Sequence, residues 1–286
     1  MTVPFENDTG NIVRKLARKS LKSEKRRNLM VVIAVALASC LICFSIVMAL
    51  STRQIEKNHV EDTYEAVYTR ITEEDVSTLK GLDDFSRVGE YYMLAVEPAE
   101  QGYNASYIYC DEETMYIARD QMKLLEGRLP QKEDEVVVSR YFLSNYGADA
   151  GIGEKVMLSS ESFHGEYTVT GILEGYKEKE VNGTSILLSK EALKGWSGYD
   201  PADYRAYVHF KNEQQMDETE LTARSREIAK EYQLEMPVMN LSYMKFYKQP
   251  VNVSMLALVA GIAVLVIIGG YVAVSYTHLT LPTSDL

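Results

Sequence analysis

Two stretches of the chain carry no charged residue, Leu29–Leu50 and Val253–Val274, and each is 22 residues long. A helix rises about 1.5 Å per residue, so each would extend about 33 Å, enough to cross a hydrocarbon core of about 30 Å. Ahead of the first, Asn11–Arg27 sets Ile12, Val13, Leu16, Ala17 and Leu21 among basic residues. That spacing predicts a short amphipathic helix of the kind that lies on the inner leaflet; it is equally the pattern of an ordinary positive flank.

Between the two runs the pattern becomes that of a mixed domain. Gln54–Ile71 carries Ile55, Val60, Tyr64, Val67 and Tyr68 and reads as a helix continuing out of the first run. Thr72-Glu73-Glu74-Asp75 gives a hydroxyl cap followed by acids, the start of a helix that Gly81 ends. Val88–Glu97, Tyr103–Tyr109, Glu135–Ser139, Lys155–Leu158, Tyr167–Leu173 and Ser185–Leu188 read as strands. Tyr204–Phe210 alternates Tyr204, Ala206, Val208 and Phe210 on one face, the period of a half-buried strand. Glu112–Leu125 fits helix and strand alike. Further helices are expected over Ser139–Tyr146, closed by Gly147; from the Ser189 cap to Gly195; and over Asn212–Tyr232 through Leu221, Ile228 and Ala229. Gly127-Arg128-Leu129-Pro130 and the pair Gly151/Gly153 mark turns. The expected fold class is an α+β domain inserted between two transmembrane helices, strands grouped in its middle and helices at both ends.

Charge placement orients this arrangement. Met1–Asn28 holds eight basic and three acidic residues, net +5, directly before the first run. Lys and Arg beside a span stay on the cytoplasmic side, so the N-terminus is placed inside. Ser51–Asn252, with 22 basic and 37 acidic residues (net −15), is then extracytoplasmic. A cleavable signal peptide is the competing reading, and Ala49-Leu50-Ser51 offers suitably small residues. Its apolar region would be about 7–15 residues, shorter than this run, which favours a retained anchor. An overall charge of −11, with no basic cluster beyond the N-terminal segment, excludes nucleic acid as a partner. A hydrophobic content of 46% excludes a disordered acidic chain.

The sequence carries no recognisable catalytic constellation. Cys40 and Cys43 have the spacing of a redox or metal pair. On a membrane helix without a nearby His or carboxylate they read as small apolar side chains. Cys110 is alone outside, so no internal disulfide can hold the domain; its roughly 200 residues bury a core without one. His59, His164, His209 and His278 share no metal-ligand spacing. Gly151-Ile152-Gly153-Glu154-Lys155 lacks the phosphate-loop spacing and precedes a strand. The acidic triplets Asp111-Glu112-Glu113 and Glu133-Asp134-Glu135 lack calcium-loop spacing and read as solvated loop charge. Neither apolar run holds an Asp, Glu, His, Lys or Arg for an ion relay. No catalytic, cofactor-binding or metal residue is therefore assigned, and no enzyme activity or cofactor is expected. The 20 tyrosines are expected in the core and rim of the sheet.

Several segments occur in a telling order. Val13-Arg14-Lys15-Leu16-Ala17-Arg18-Lys19-Ser20-Leu21 and Lys25-Arg26-Arg27-Asn28 precede the first run. Gly127-Arg128-Leu129-Pro130 is followed by Glu135-Val136-Val137-Val138-Ser139, then by the strands Gly151–Leu158 and Tyr167–Leu173. In this order, over roughly residues 11–272, the chain resembles the FtsX-like permease family of ABC transporters, with a MacB-type extracytoplasmic core domain. The resemblance implies a multi-pass subunit of a bacterial plasma membrane that dimerises and recruits a separate cytosolic ATP-binding cassette subunit. ATP-driven closure of that partner would move the external domains through the spans, for export, for extraction of peptides or lipoproteins, or for activating cell-wall hydrolases. No Walker motif is present, so the ATPase is expected on the partner. The rival reading is a two-span sensor whose cytosolic module is missing; the sequence beyond Val274 separates the two.

The family has three further spans after its external domain, where this chain has one. Ser275–Leu286 resembles translated sequencing-adapter text and has no Lys or Arg where a cytoplasmic flank should be basic. The expected organisation is a cytosolic segment 1–28, a first span 29–50, a core domain 51–252, a second span 253–274 and a non-native tail 275–286 on a fragment.

Overall fold

The computed structural model describes residues 12, 14–15, 25–100, 102–145, 150–175, 178, 183–249, 261–263, 265–266 and 269–270. Most of the expected amphipathic helix, most of the second apolar run and the whole tail 275–286 lie outside the described residues. The chain divides into two compact units, Met1–Gln54 with Val251–Leu286, and Ile55–Pro250.

In the first unit, helix α1 (Lys25–Val60) contains the whole first apolar run and continues into the second unit. Leu37, Leu41, Phe44 and Val47 are all exposed along it. By length and composition Ser39–Val60 suffices to cross a membrane.

The second unit is built on one mixed sheet. Its strands are β1 (Ala66–Ile71), β2 (Phe85–Pro98), β3 (Asn104–Cys110), β4 (Met122–Gly127), β5 (Glu135–Ser139), β6 (Lys155–Ser159), β7 (His164–Gly175), β8 (Gly183–Leu188), β9 (Tyr204–Phe210) and β10 (Val238–Met239). They lie in the order β10-β1-β9-β2-β3-β8-β5-β7-β4, with β6 also on β7. The pairs β3–β8 and β5–β7 are parallel and the others antiparallel. The helices are α2 (Glu73–Lys80), α3 (Glu112–Ile117), α4 (Arg140–Asn145), α5 (Lys190–Gly195), α6 (Glu218–Glu231) and α7 (Leu241–Tyr243).

Both faces of the central strands are covered, which explains their unbroken apolar runs. On β5, Val136 and Val138 join the larger core and Val137 the smaller one on the opposite face. β9 alternates likewise: Tyr204, Ala206, Val208 and Phe210 face the larger core, Tyr207 the smaller. Leu79 of α2, Phe142 of α4, Leu193 of α5 and Leu221 and Ile228 of α6 close the larger core; Met115 and Ile117 of α3 close the smaller. Many of the described tyrosines are structural, as expected. Tyr68, Tyr92 and Tyr204 are buried, their hydroxyls bonded to the Ser225 carbonyl (2.9 Å), the Asp200 amide (2.9 Å) and the Tyr199 hydroxyl (3.2 Å).

Three expectations are corrected. Gln54–Ile71 is not one helix: α1 stops at Val60, Asp62 turns the chain at φ 52°, and Ala66–Ile71 becomes β1 between β9 and β10. Two ladders of sheet hydrogen bonds there outweigh a weak helical pattern. The elements interleave rather than placing strands in the middle, because β1, first after α1, pairs with β9 near the end. Asn212–Tyr232 is also divided: Asp217 and Glu220 form a capping box that starts α6 afresh after a 3-10 turn at Glu213–Gln215. The ambiguous Glu112–Leu125 splits into α3 and β4, while Thr72 caps α2 through a capping box with Asp75.

The acidic triplets are not merely solvated. Asp111 caps α3. Glu135 is buried; its carboxylate takes both Arg128 guanidinium nitrogens at 2.7 and 2.8 Å and the Gln131 and Lys132 amides. The Arg128 fork first, then those amides, lower its pKa to about 2. A depressed carboxyl stabilises the fold above its ordinary pKa, and that contribution disappears as pH falls through the depressed value. The melting temperature of wild type should exceed that of Glu135→Gln at pH 5, and the gap should close as pH falls from about 4.5 to about 2.

Candidate functional site

The second unit receives the chain at the end of α1 and releases it after Lys248, and these two segments meet. On the incoming side Thr63 Oγ1 donates to the Val60 carbonyl at 2.7 Å, ending the helix. The Tyr64 and Glu65 amides then donate to the Ile117 and Val208 carbonyls, each at 3.0 Å, so the turn is bonded to α3 and to β9. On the outgoing side Asn240, a buried residue, acts as a clasp. Its amide N–H donates to the Glu65 carbonyl (2.8 Å), its Nδ2 to the Tyr64 carbonyl (3.0 Å), and its Oδ1 accepts from the Tyr243 amide (3.1 Å).

Beyond the clasp the outgoing chain forms a π-helical turn, Met244–Lys248, that lies against the end of α1. The Tyr247 hydroxyl donates to Glu61 at 3.0 Å, and the Lys57 ammonium sits 4.7 Å from the Tyr247 ring centroid. Tyr247 stacks on Tyr243 with centroids 5.1 Å apart and planes at 10°. Arg119 donates to the Glu61 carbonyl and lies 3.6 Å from the Asp62 carboxylate, while the His59 ring contacts the Asp120 carbonyl at 3.0 Å. Burial pushes the Asp120 carboxyl up to about 6, against the lowering pull of its own backbone and of His59 and Arg119. Beneath the turn the Glu65 carboxylate is fully enclosed and lies 2.7 Å from His209 Nδ1. Chemically this assembly is a tie, built of hydrogen bonds and ring contacts.

The residues weighed from sequence are scattered. Cys40 and Cys43 are exposed on α1, and Cys110 is buried on β3. His59 belongs to the joint, His164 begins β7, His209 is paired with Glu65, and His278 lies outside the described residues. Gly151–Gly153 forms the turn before β6, as expected. Among the described residues no three His, Cys, Asp or Glu side chains converge to hold a metal. Sequence reasoning missed the joint. Its one readable signal was Asn240-Leu241-Ser242-Tyr243, an Asn placed to cap a short turn.

Residues 29–226, more than half of the chain, match the family model of the MacB-like periplasmic core domain. The chain belongs to this family. The solved structures similar to it include the following three. The extracellular domain of the noncanonic ABC-type transporter YknZ from Gram-positive bacteria is 15% identical, with 62% of this chain and 100% of that one covered and a TM-score of 0.44. The periplasmic region of MacB from Actinobacillus actinomycetemcomitans is 10% identical, covering 65% and 91%, with a TM-score of 0.46. A domain of a putative permease protein from Porphyromonas gingivalis is 15% identical, covering 68% and 96%, with a TM-score of 0.43. No curated protein matches the chain. In this MacB-like domain the Gly127–Pro130 motif has a concrete task. The Arg128 amide donates to the Thr170 carbonyl at 3.0 Å while its side chain grips Glu135, so one turn joins β4, β7 and β5.

Proposed function

We propose that this MacB-like chain is the permease, or mechanotransmission, subunit of an ABC transporter in a bacterial plasma membrane. It couples ATP hydrolysis by a separate cytosolic ATP-binding cassette subunit to movement of an extracytoplasmic domain, serving export or extraction of a peptide, lipoprotein or small molecule. Leu29–Leu50 and Val253–Val274 are the spans on either side of that domain, the N-terminus is cytoplasmic, and a second copy completes the permease.

The observation that carries this reading is the joint. Force arriving along either chain end reaches the sheet at one place, through Asn240 and the contacts of Tyr247 with α1. A hydrogen-bonded clasp on a rigid sheet passes a displacement on, where two independent flexible linkers would absorb it.

Two measurements test it. In intact cells an impermeant maleimide should label Ile152→Cys, whose parent residue is 46% exposed, but not Leu41→Cys; equal labelling of both overturns the topology. In proteoliposomes holding the chain with the ATP-binding subunit of the same bacterium, spin labels at residue 152 of two copies should change separation on adding ATP. No complex, or no ATP-dependent change, overturns the transport reading.

A further inference from the structure

Thr63 and Glu65, both fully enclosed, and the half-buried His209 close a network under the joint. Glu65 Oε2 accepts from the Phe210 amide at 2.8 Å, and Oε1 lies 2.7 Å from His209 Nδ1. The same Nδ1 lies 3.0 Å from the Thr63 carbonyl. Two acceptors converge on one ring nitrogen, so Nδ1 carries the hydrogen, and the charge of the imidazole is decided at Nε2. From the elements packed around it, the 3-10 turn after β9 supplies the buried Glu213, whose charge acts on His209 and whose carbonyl takes the Lys248 ammonium. The outgoing segment supplies Tyr243, whose neutral hydroxyl lies in the field of Glu65 and Glu213. From β2, Arg87 is the register partner of His209, but its guanidinium is held by Glu113 at 2.7 Å.

We propose that the Glu65–His209 pair is a proton-operated latch. With the imidazole protonated, the incoming turn is held on β9. Loss of that proton leaves an enclosed carboxylate without its counter-charge, and Thr63–Glu65 come away together with the outgoing segment that Asn240 ties to them. The latch rests on the reading of the joint as a mechanical link and gives that link a regulator, the external pH.

The direction follows from the surroundings. Burial raises the Glu65 carboxyl above its ordinary value. For His209 burial pulls downward, but the hydrogen bond and charge of Glu65, with Glu213 and the Thr63 carbonyl, leave the net shift upward. Both groups bind protons more tightly in the folded state. The His209 contribution is complete below the ordinary histidine pKa of about 6.5 and is lost as pH rises through the raised folded value. The latch therefore opens on alkalinisation and stays closed in mild acid.

Hydrogen exchange on the full chain in lipid nanodiscs, corrected for intrinsic pH dependence, tests this between pH 6 and 9. The amides of Glu65, Phe210 and Asn240 should lose about tenfold protection above neutral pH. Val137 and Ile186, in the sheet centre, should hold theirs, and the emission of the single tryptophan, Trp196, should not move. His209→Gln should abolish the pH step. Uniform protection across the range, opening on the acid side, or an unchanged step in His209→Gln overturns the latch. If that variant does not fold, nitrogen NMR of wild type decides: a His209 that is neutral at pH 6 overturns it. Neither measurement involves ATP or the partner subunit, so the latch can fail while the permease reading stands, and the reverse.

Discussion

Gly127→Ala should lower stability by about 2–5 kcal/mol and the melting temperature by roughly 10 °C. Gly127 sits at φ +84°, in the left-handed region that costs a residue with a Cβ about 1–2 kcal/mol. Its added Cβ would also fall 2.2 Å from the Thr170 carbonyl oxygen and 2.6 Å from Gly171 Cα, both backbone atoms of β7. No side-chain rotation relieves such a contact, so β4 must move off β7, at a further cost of about 1–3 kcal/mol. A domain holds only about 5–15 kcal/mol in all. Gly153→Ala is the control: φ is +88° there, but nothing lies within 4 Å of the new Cβ. It should show the conformational cost alone. Thermal unfolding followed by Trp196 emission measures both. Equal losses in the two variants would mean that the close approach of Gly127 to β7 has no energetic role.

The second large effect is expected at the clasp. Asn240→Ala should destabilise the second unit by about 2–4 kcal/mol, because it strands the Tyr64 carbonyl and the Tyr243 amide in a buried site, each at about 1–3 kcal/mol. Water entering the vacated space offsets part of this. The loss should be local: amides of Tyr243 and Met244 exchange faster, while those of β3, β5 and β8 do not. On the proposed permease reading the variant should still hydrolyse ATP with its partner but deliver less transport per ATP, since the outgoing segment then keeps only its main-chain ties to the sheet, the residue 240 amide on Glu65 and β10 on β1. Unaltered transport per ATP, in a variant that has lost the expected stability, would show that force bypasses the clasp. Asn240→Asp sharpens the comparison. Its carboxylate still accepts from the Tyr243 amide but faces the Tyr64 carbonyl with a negative charge, so it should do no better than alanine.

Much of the domain is legible in the sequence. The run Glu135–Ser139 and the alternation over Tyr204–Phe210 are both strands with those bounds. Thr72, Ser189 and Gly81 fall at helix ends, because caps and apolar periodicity are local properties. The Gly127–Pro130 motif was visible as a turn and as part of a family resemblance. Its glycine has a reason only beside β7, 43 to 44 residues later in the chain, where the backbones nearly touch.

What the sequence by itself determined is the segregation of charge, the α+β character and the family of the domain, since each is written in short stretches of residue types. What only the tertiary structure decided is pairing across long separations. It set β1 against β9 rather than leaving it in a helix, and placed Glu65 on His209 and Asn240 on Tyr64, 144 and 176 residues apart. The physical reason is that a buried carboxylate or amide takes its energy from whichever partner the fold brings within about 3 Å, and no local pattern encodes that distance.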